Sequence, residues 1–213
     1  MTLKQRYEQV LQWFEASMPM PDTELHFNST WELLVAVILS AQCTDKRVNM
    51  VTPPLFEAFP TPAAMAAVTA EDVYPFIKSI SYPNNKAKNL VGAARMITEE
   101  LSGEIPSDLD TLLKIPGVGR KTANVMLAVA FDRPAMPVDT HVFRVSDRLG
   151  LASGCRTPLE TEKKLCRYIP EELLSKAHHW LILHGRYVCT ARKPDCLNCG
   201  LTSVCKFFNQ GTK

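Results

Sequence analysis

Apolar residues recur at helical spacing along most of the chain. In residues 1–14, Leu3, Tyr7, Val10, Leu11 and Phe14 share one face with Glu8 and Glu15 interspersed, which predicts an amphipathic N-terminal helix. Capping boxes precede three apolar runs: Ser29 with Glu32, Thr69 with Asp72, and Ser107 with Asp110. Thr61-Pro62 adds a cap followed by a proline at the first helical position. The segments between are short and hold proline, asparagine or glycine, as at residues 18–22, 81–85 and 149–154. No strand alternation stands out. Helices of roughly 10–15 residues joined by short loops predict an all-α protein. A boundary is expected near residues 131–137, where Asp132, Arg133 and two prolines interrupt the pattern.

Composition narrows the class. With 213 residues, 46% of them hydrophobic, the chain can bury one large core or two small ones. A net charge of +2 is too small to announce nucleic-acid binding, so any basic footprint must be local. The longest apolar run, residues 33–39, is far short of a membrane span. The first helix lacks the apolar core and small-residue cleavage site of a signal peptide, so a cytoplasmic location and no membrane partner are expected. Four of the seven cysteines crowd into residues 189–205, which points to metal binding and away from a secreted disulfide framework.

The most informative stretch is Leu112-Leu113-Lys114-Ile115-Pro116-Gly117-Val118-Gly119-Arg120-Lys121-Thr122-Ala123. An apolar helix end meets a turn and then a new helix with Val125, Leu127 and Val129 on its apolar face. Gly117 and Gly119 remove side chains from the turn, so backbone N–H groups at the helix start can approach a phosphate. An ordinary glycine-turn hairpin is the competing reading. Lys121 needs its neutral amine to attack a sugar carbon; the positive end of the helix dipole disfavours the ammonium, and burial against DNA adds to that. A lysine beside an arginine is otherwise a phosphate contact or a solvated charge.

Val138-Asp139-Thr140-His141 offers a carboxylate with two compatible readings. Asp139 suits a helix N-cap, and its charge could also stabilise an oxocarbenium-like transition state. His141 reads as structural. At the end of an apolar helix, Ser40-Ala41-Gln42 presents an amide able to satisfy an orphaned base. Cys189, Cys196, Cys199 and Cys205 are separated by six, two and five residues. Four thiolates suit zinc or an iron–sulfur cluster, and spacing alone leaves both open. Arg192 and Lys193 lie in the first cysteine loop as candidate phosphate contacts, within a local charge of +3 over residues 186–206.

The hairpin, the Val-Asp-Thr-His segment, the glutamine, the run His178-His179-Trp180-Leu181-Ile182-Leu183-His184-Gly185-Arg186 and the cysteine spacing together resemble the endonuclease III family of DNA glycosylase/AP lyases. The resemblance covers nearly the whole chain. It implies two helical lobes with a DNA cleft between them: a six-helix barrel over residues 23–132, and a second lobe from residues 1–22 and 133–213. It implies Lys121 as the Schiff-base lysine, Asp139 as the catalytic carboxylate and a 4Fe–4S cluster on the four cysteines. Gln42 would fill the gap left by an extruded base, while Gly117, Gly119 and Arg120 would meet the DNA backbone. The implied partner is double-stranded DNA with oxidised pyrimidines or abasic sites, acted on by a monomer. Relatives commonly have a glycine and a bulky apolar residue where this chain has Ser81-Tyr82-Pro83, so Tyr82 is the candidate second wedge, with Pro83 expected to hold it extended.

Two other readings remain. A monofunctional adenine glycosylase would lack the hairpin lysine and carry an acid in residues 35–39, where none stands. A non-catalytic DNA-binding module with structural zinc would account for the glycines and cysteines, but not for Lys121 with Asp139.

Overall fold

The structure is a computed structural model that describes residues 1–211. Among these residues the regular elements are all helical, and none is long and apolar enough to cross a membrane. The chain divides into two compact units, one contiguous (residues 24–131) and one built from both ends (residues 1–23 and 132–213).

The contiguous unit is organised around α2 (Thr30–Ser40), which packs against α3 (Asp45–Ala58), α6 (Pro83–Glu99), α8 (Arg120–Val125) and a π-helical stretch, Met126–Ala130. Its residues Leu33, Leu34, Val35, Ala36 and Leu39 are wholly buried. A helix apolar all round has to be a central one, and each such aliphatic side chain contributes roughly 1.5–3 kcal/mol on burial. Around it stand the shorter α4 (Pro62–Ala66), α5 (Ala70–Ile77) and α7 (Leu109–Leu112).

Caps set where these helices begin. Ser29 accepts from Glu32 N, but the Glu32 carboxylate reaches past it to Asn28 N, so this box is only half closed. At Thr69 the Asp72 carboxylate accepts both the backbone N–H and the hydroxyl. The third start lies one residue later than the Ser107–Asp110 pattern predicts: Asp108 is the cap, accepting from Thr111 N. Several helices also have only four to six residues, fewer than the periodicity suggests.

In the second unit α1 (Leu3–Ser17) buries Tyr7, Val10 and Phe14 among α9 (Thr140–Leu149), α10 (Pro158–Tyr168) and α11 (Leu174–Tyr187). Phe14 stacks on Trp180 at 5.7 Å between ring centroids, and the Trp180 indole N–H donates to Met18 O at 2.7 Å. The Tyr7 hydroxyl donates to Leu151 O (3.0 Å), and Arg6 donates to Leu149 O and Val204 O. A short α12 (Lys206–Asn209) closes the described chain.

Candidate active site

The hairpin turn forms as its glycines suggest, though the two do different work. Gly117 has φ +82°, and a Cβ there would lie 2.9 Å from the Asn89 Cβ. Gly119 has an ordinary φ and open space around it; it is the N-cap of α8 and supplies no side-chain acceptor. Arg120 is exposed beside it, and Lys121 is half-buried in the first turn. The first N–H groups of a helix have no acceptor within it, so an uncapped start suits an anion.

Asp139 caps α9, its Oδ1 accepting from His141 N (2.9 Å) and Val142 N (2.8 Å). Both bonds converge on one oxygen, which leaves Oδ2 outside the cap. The segment leading into Asp139 is pinned by His178, whose Nδ1–H donates to Pro137 O at 2.9 Å. His141 packs against Gly185, and its Nδ1 lies 3.3 Å from the Arg144 guanidinium. Lys121 belongs to the contiguous unit and Asp139 to the unit built from both ends of the chain.

Gln42 and Tyr82 are brought into one neighbourhood. Both are exposed, Tyr82 by 63%, and the Ser81 hydroxyl donates to Gln42 O at 2.7 Å. Tyr82 is not extended as Pro83 leads one to expect. Its φ and ψ are 55° and 49°, and it is the N-cap of α6, with Pro83 at the first helical position. A residue before proline is disfavoured in the right-handed helical region, and here it escapes into the left-handed one.

The four C-terminal cysteines are unpaired, and all line one small pocket with His184, Phe207 and Phe208. Among the described residues no three ligand-type side chains close on a point that would hold a single ion. Nitrogen donors approach two of them: Arg148 Nη1 lies 3.4 Å from Cys189 Sγ and His184 Nε2 3.7 Å from Cys199 Sγ. Cys205 Sγ sits 3.4 Å from Arg148 O. Burial pushes His184 down to about 4, so the ring is neutral and its Nε2–H can serve a sulfur. Burial, then Cys189 and Cys205, push the Cys196 thiol up; burial also raises Cys199. Arg192 and Lys193 are exposed on the first cysteine loop. Arg148 holds that loop through Thr190 O and Ala191 O, both at 2.8 Å.

These features belong to a known class. The HhH-GPD superfamily of base excision DNA repair proteins matches residues 35–171, spanning the hairpin, Lys121 and Asp139. The chain is 46% identical to Endonuclease III of Escherichia coli (strain K12), over 93% of this chain and 94% of that one. It is 50% identical to Endonuclease III of Bacillus subtilis (strain 168), over 88% and 86%. A trapped endonuclease III–DNA covalent intermediate, an estranged-adenine complex, superposes with a TM-score of 0.94 at 45% identity, over 99% of both chains. A thermostable thymine-DNA glycosylase, 20% identical, shares the fold at a TM-score of 0.88. The chain belongs to the endonuclease III family, base-excision repair enzymes that are both DNA glycosylases and AP lyases.

Proposed function

We propose that this chain removes oxidised or ring-saturated pyrimidines from double-stranded DNA and cleaves the abasic site by β-elimination through Lys121. The placement of Lys121 carries the reading: a half-buried amine in the first turn of α8, directly after an uncapped glycine turn. In the reaction the neutral Nζ attacks C1′ as the bond to the base breaks, and the base leaves with the electron pair and takes up a proton. The sugar ring then opens: the C1′–O4′ bond breaks, O4′ takes up a proton, and the Nζ lone pair forms the C1′=N bond of a Schiff base, which acidifies C2′–H. Removal of that proton expels the 3′ phosphate, and hydrolysis frees the lysine. The Asp139 carboxylate stabilises the cationic sugar. The endonuclease III–DNA covalent intermediate trapped with a relative of 45% identity supports covalent catalysis in this fold.

Gln42 and Tyr82 fill the space of the extruded base. Gly117, Gly119 and Arg120 receive one stretch of backbone, and Arg192 and Lys193 another. Cys189, Cys196, Cys199 and Cys205 hold a 4Fe–4S cluster, supported by a pocket with sulfur on several sides and two N–H donors. When bound, that group supplies a rigid, charged tie for the C-terminal loop and takes no part in bond cleavage.

The test is borohydride reduction in the presence of duplex DNA containing an abasic site. The protein should become cross-linked, and Lys121→Gln should remove both cross-linking and base excision while retaining DNA affinity. Undiminished trapping by the variant would move the nucleophile elsewhere.

A further inference from the structure

Lys86 is 5% exposed, an unusual place for an ammonium group. Two backbone carbonyls hold it: Nζ donates to Leu39 O at 2.8 Å and to Ala41 O at 2.7 Å. These lie at the C-terminal end of α2, where carbonyls have no intrahelical donor and the dipole favours a cation. Burial pulls Lys86 below its ordinary range, with the Cys43 thiol opposing the shift. Its backbone N–H meanwhile donates to Tyr82 O at 3.1 Å. One residue thus holds the carbonyl just before Gln42 with its side chain and the carbonyl of Tyr82 with its main chain.

The two residues it flanks are both strained. Gln42 and Tyr82 have φ of 53° and 55°, a left-handed conformation that is unfavourable for a residue with a Cβ. Such geometry persists only where its surroundings over-determine it. Lys86 supplies that on one side of Gln42, and the Ser81 hydroxyl on Gln42 O supplies it on the other.

We infer that Lys86 is a positioning residue, which locks the Gln42 turn to the start of α6 so that Gln42 and Tyr82 are presented to DNA as one preformed pair. This rests on reading Gln42 as a residue that enters DNA. Preorganisation lowers the ordering cost of binding at an extruded nucleotide and does nothing for undamaged duplex, where neither side chain inserts.

The experiment compares binding to a duplex with a stable abasic analogue and to the same duplex undamaged, for Lys86→Met, Ser81→Ala, Gln42→Ala and their pairs. Melting temperatures report the folded state. Lys86→Met should weaken analogue binding by about tenfold and leave undamaged duplex within about twofold, and on the Gln42→Ala background it should add little. Additive losses, or equal losses on both duplexes, overturn the tether and reduce Lys86 to a helix cap. If Gln42→Ala itself shows no lesion-selective loss, the underlying reading of Gln42 fails and the tether falls with it. If Lys86→Met does not fold, Ser81→Ala decides the matter. A lesion-selective loss that is non-additive with Gln42→Ala upholds the lock, and an additive or absent one overturns it.

Discussion

Gly185 of α11 lies directly against His141 of α9: a Cβ at Gly185 would stand 2.9 Å from the His141 Cβ and 3.0 Å from Val145 Cγ2. The contact sets how closely the helix capped by Asp139 approaches the helix that leads to Cys189. Arg144 reinforces it by donating to Gly185 O (2.8 Å) and Cys189 O (3.2 Å). Gly185→Ala should therefore destabilise the fold by about 1–3 kcal/mol, although alanine is the better helix former. Chemical denaturation measures this, and a gain in stability would show that the two helices can part.

Asp139→Asn separates two roles of one side chain. Asparagine caps a helix as well as aspartate does, and Oδ1 can still accept from His141 N and Val142 N. Stability should stay within about 0.5 kcal/mol, while single-turnover base excision slows by about 100- to 1,000-fold. Asp139→Ala should lose the rate and about 1 kcal/mol as well. A near-normal rate in the asparagine variant would leave Asp139 a cap only.

The purified protein should be yellow-brown, with iron and acid-labile sulfide near about four of each per chain. Cys196→Ser should lower the iron content and the yield of folded protein, because the loop loses its tie. Colourless protein with one zinc per chain would refute the assignment.

His179 titrates below its ordinary range because it is buried, with Asp22 opposing the shift and Arg186 adding to it. His178 stands beside it, 5.0 Å between ring centroids. A folded-state value below the unfolded 6.5 means that the unfolded chain takes up the proton first. This contribution to stability is therefore full above pH 6.5 and declines as the pH falls through the folded-state value. Urea midpoints between pH 8 and pH 5 should fall on the acid side, and His179→Leu should flatten the slope. An unchanged slope would assign the acid sensitivity to other groups.

Helix identity was legible because caps and apolar spacing agree, as at Thr61-Pro62 and along α2. Positions settled by hydrogen-bond geometry were less so. Ser107 and Asp108 are both good caps, and only the chain's turn selects the second. Tyr82 follows a rule about prolines that permits two escapes, and the pattern does not say which one is taken. Lys121, Asp139 and the cysteines stand out because their motifs are contiguous. Lys86 does not, since Asn84-Asn85-Lys86-Ala87-Lys88 reads as a solvated stretch. A signal was present: Lys86 falls in register with Leu90, Ala94 and Ile97, the buried stripe of α6. A lysine on that stripe must find acceptors, but the pattern alone cannot name carbonyls of another helix. Arg148 and His184 are similar, their roles fixed by where the cysteine loop returns.

The unit built from both ends of the chain has a consequence for synthesis. Trp180 and Met18, joined by an indole hydrogen bond, are separated by 162 positions. At about 5–20 residues per second, α1 leaves the ribosome roughly 8–30 s before the residues that cover Tyr7, Val10 and Phe14 exist. Residues 24–131, by contrast, have all their partners in hand as soon as they emerge. The nascent protein therefore passes through a stage in which the hairpin-bearing unit is complete while α1 still exposes its apolar face.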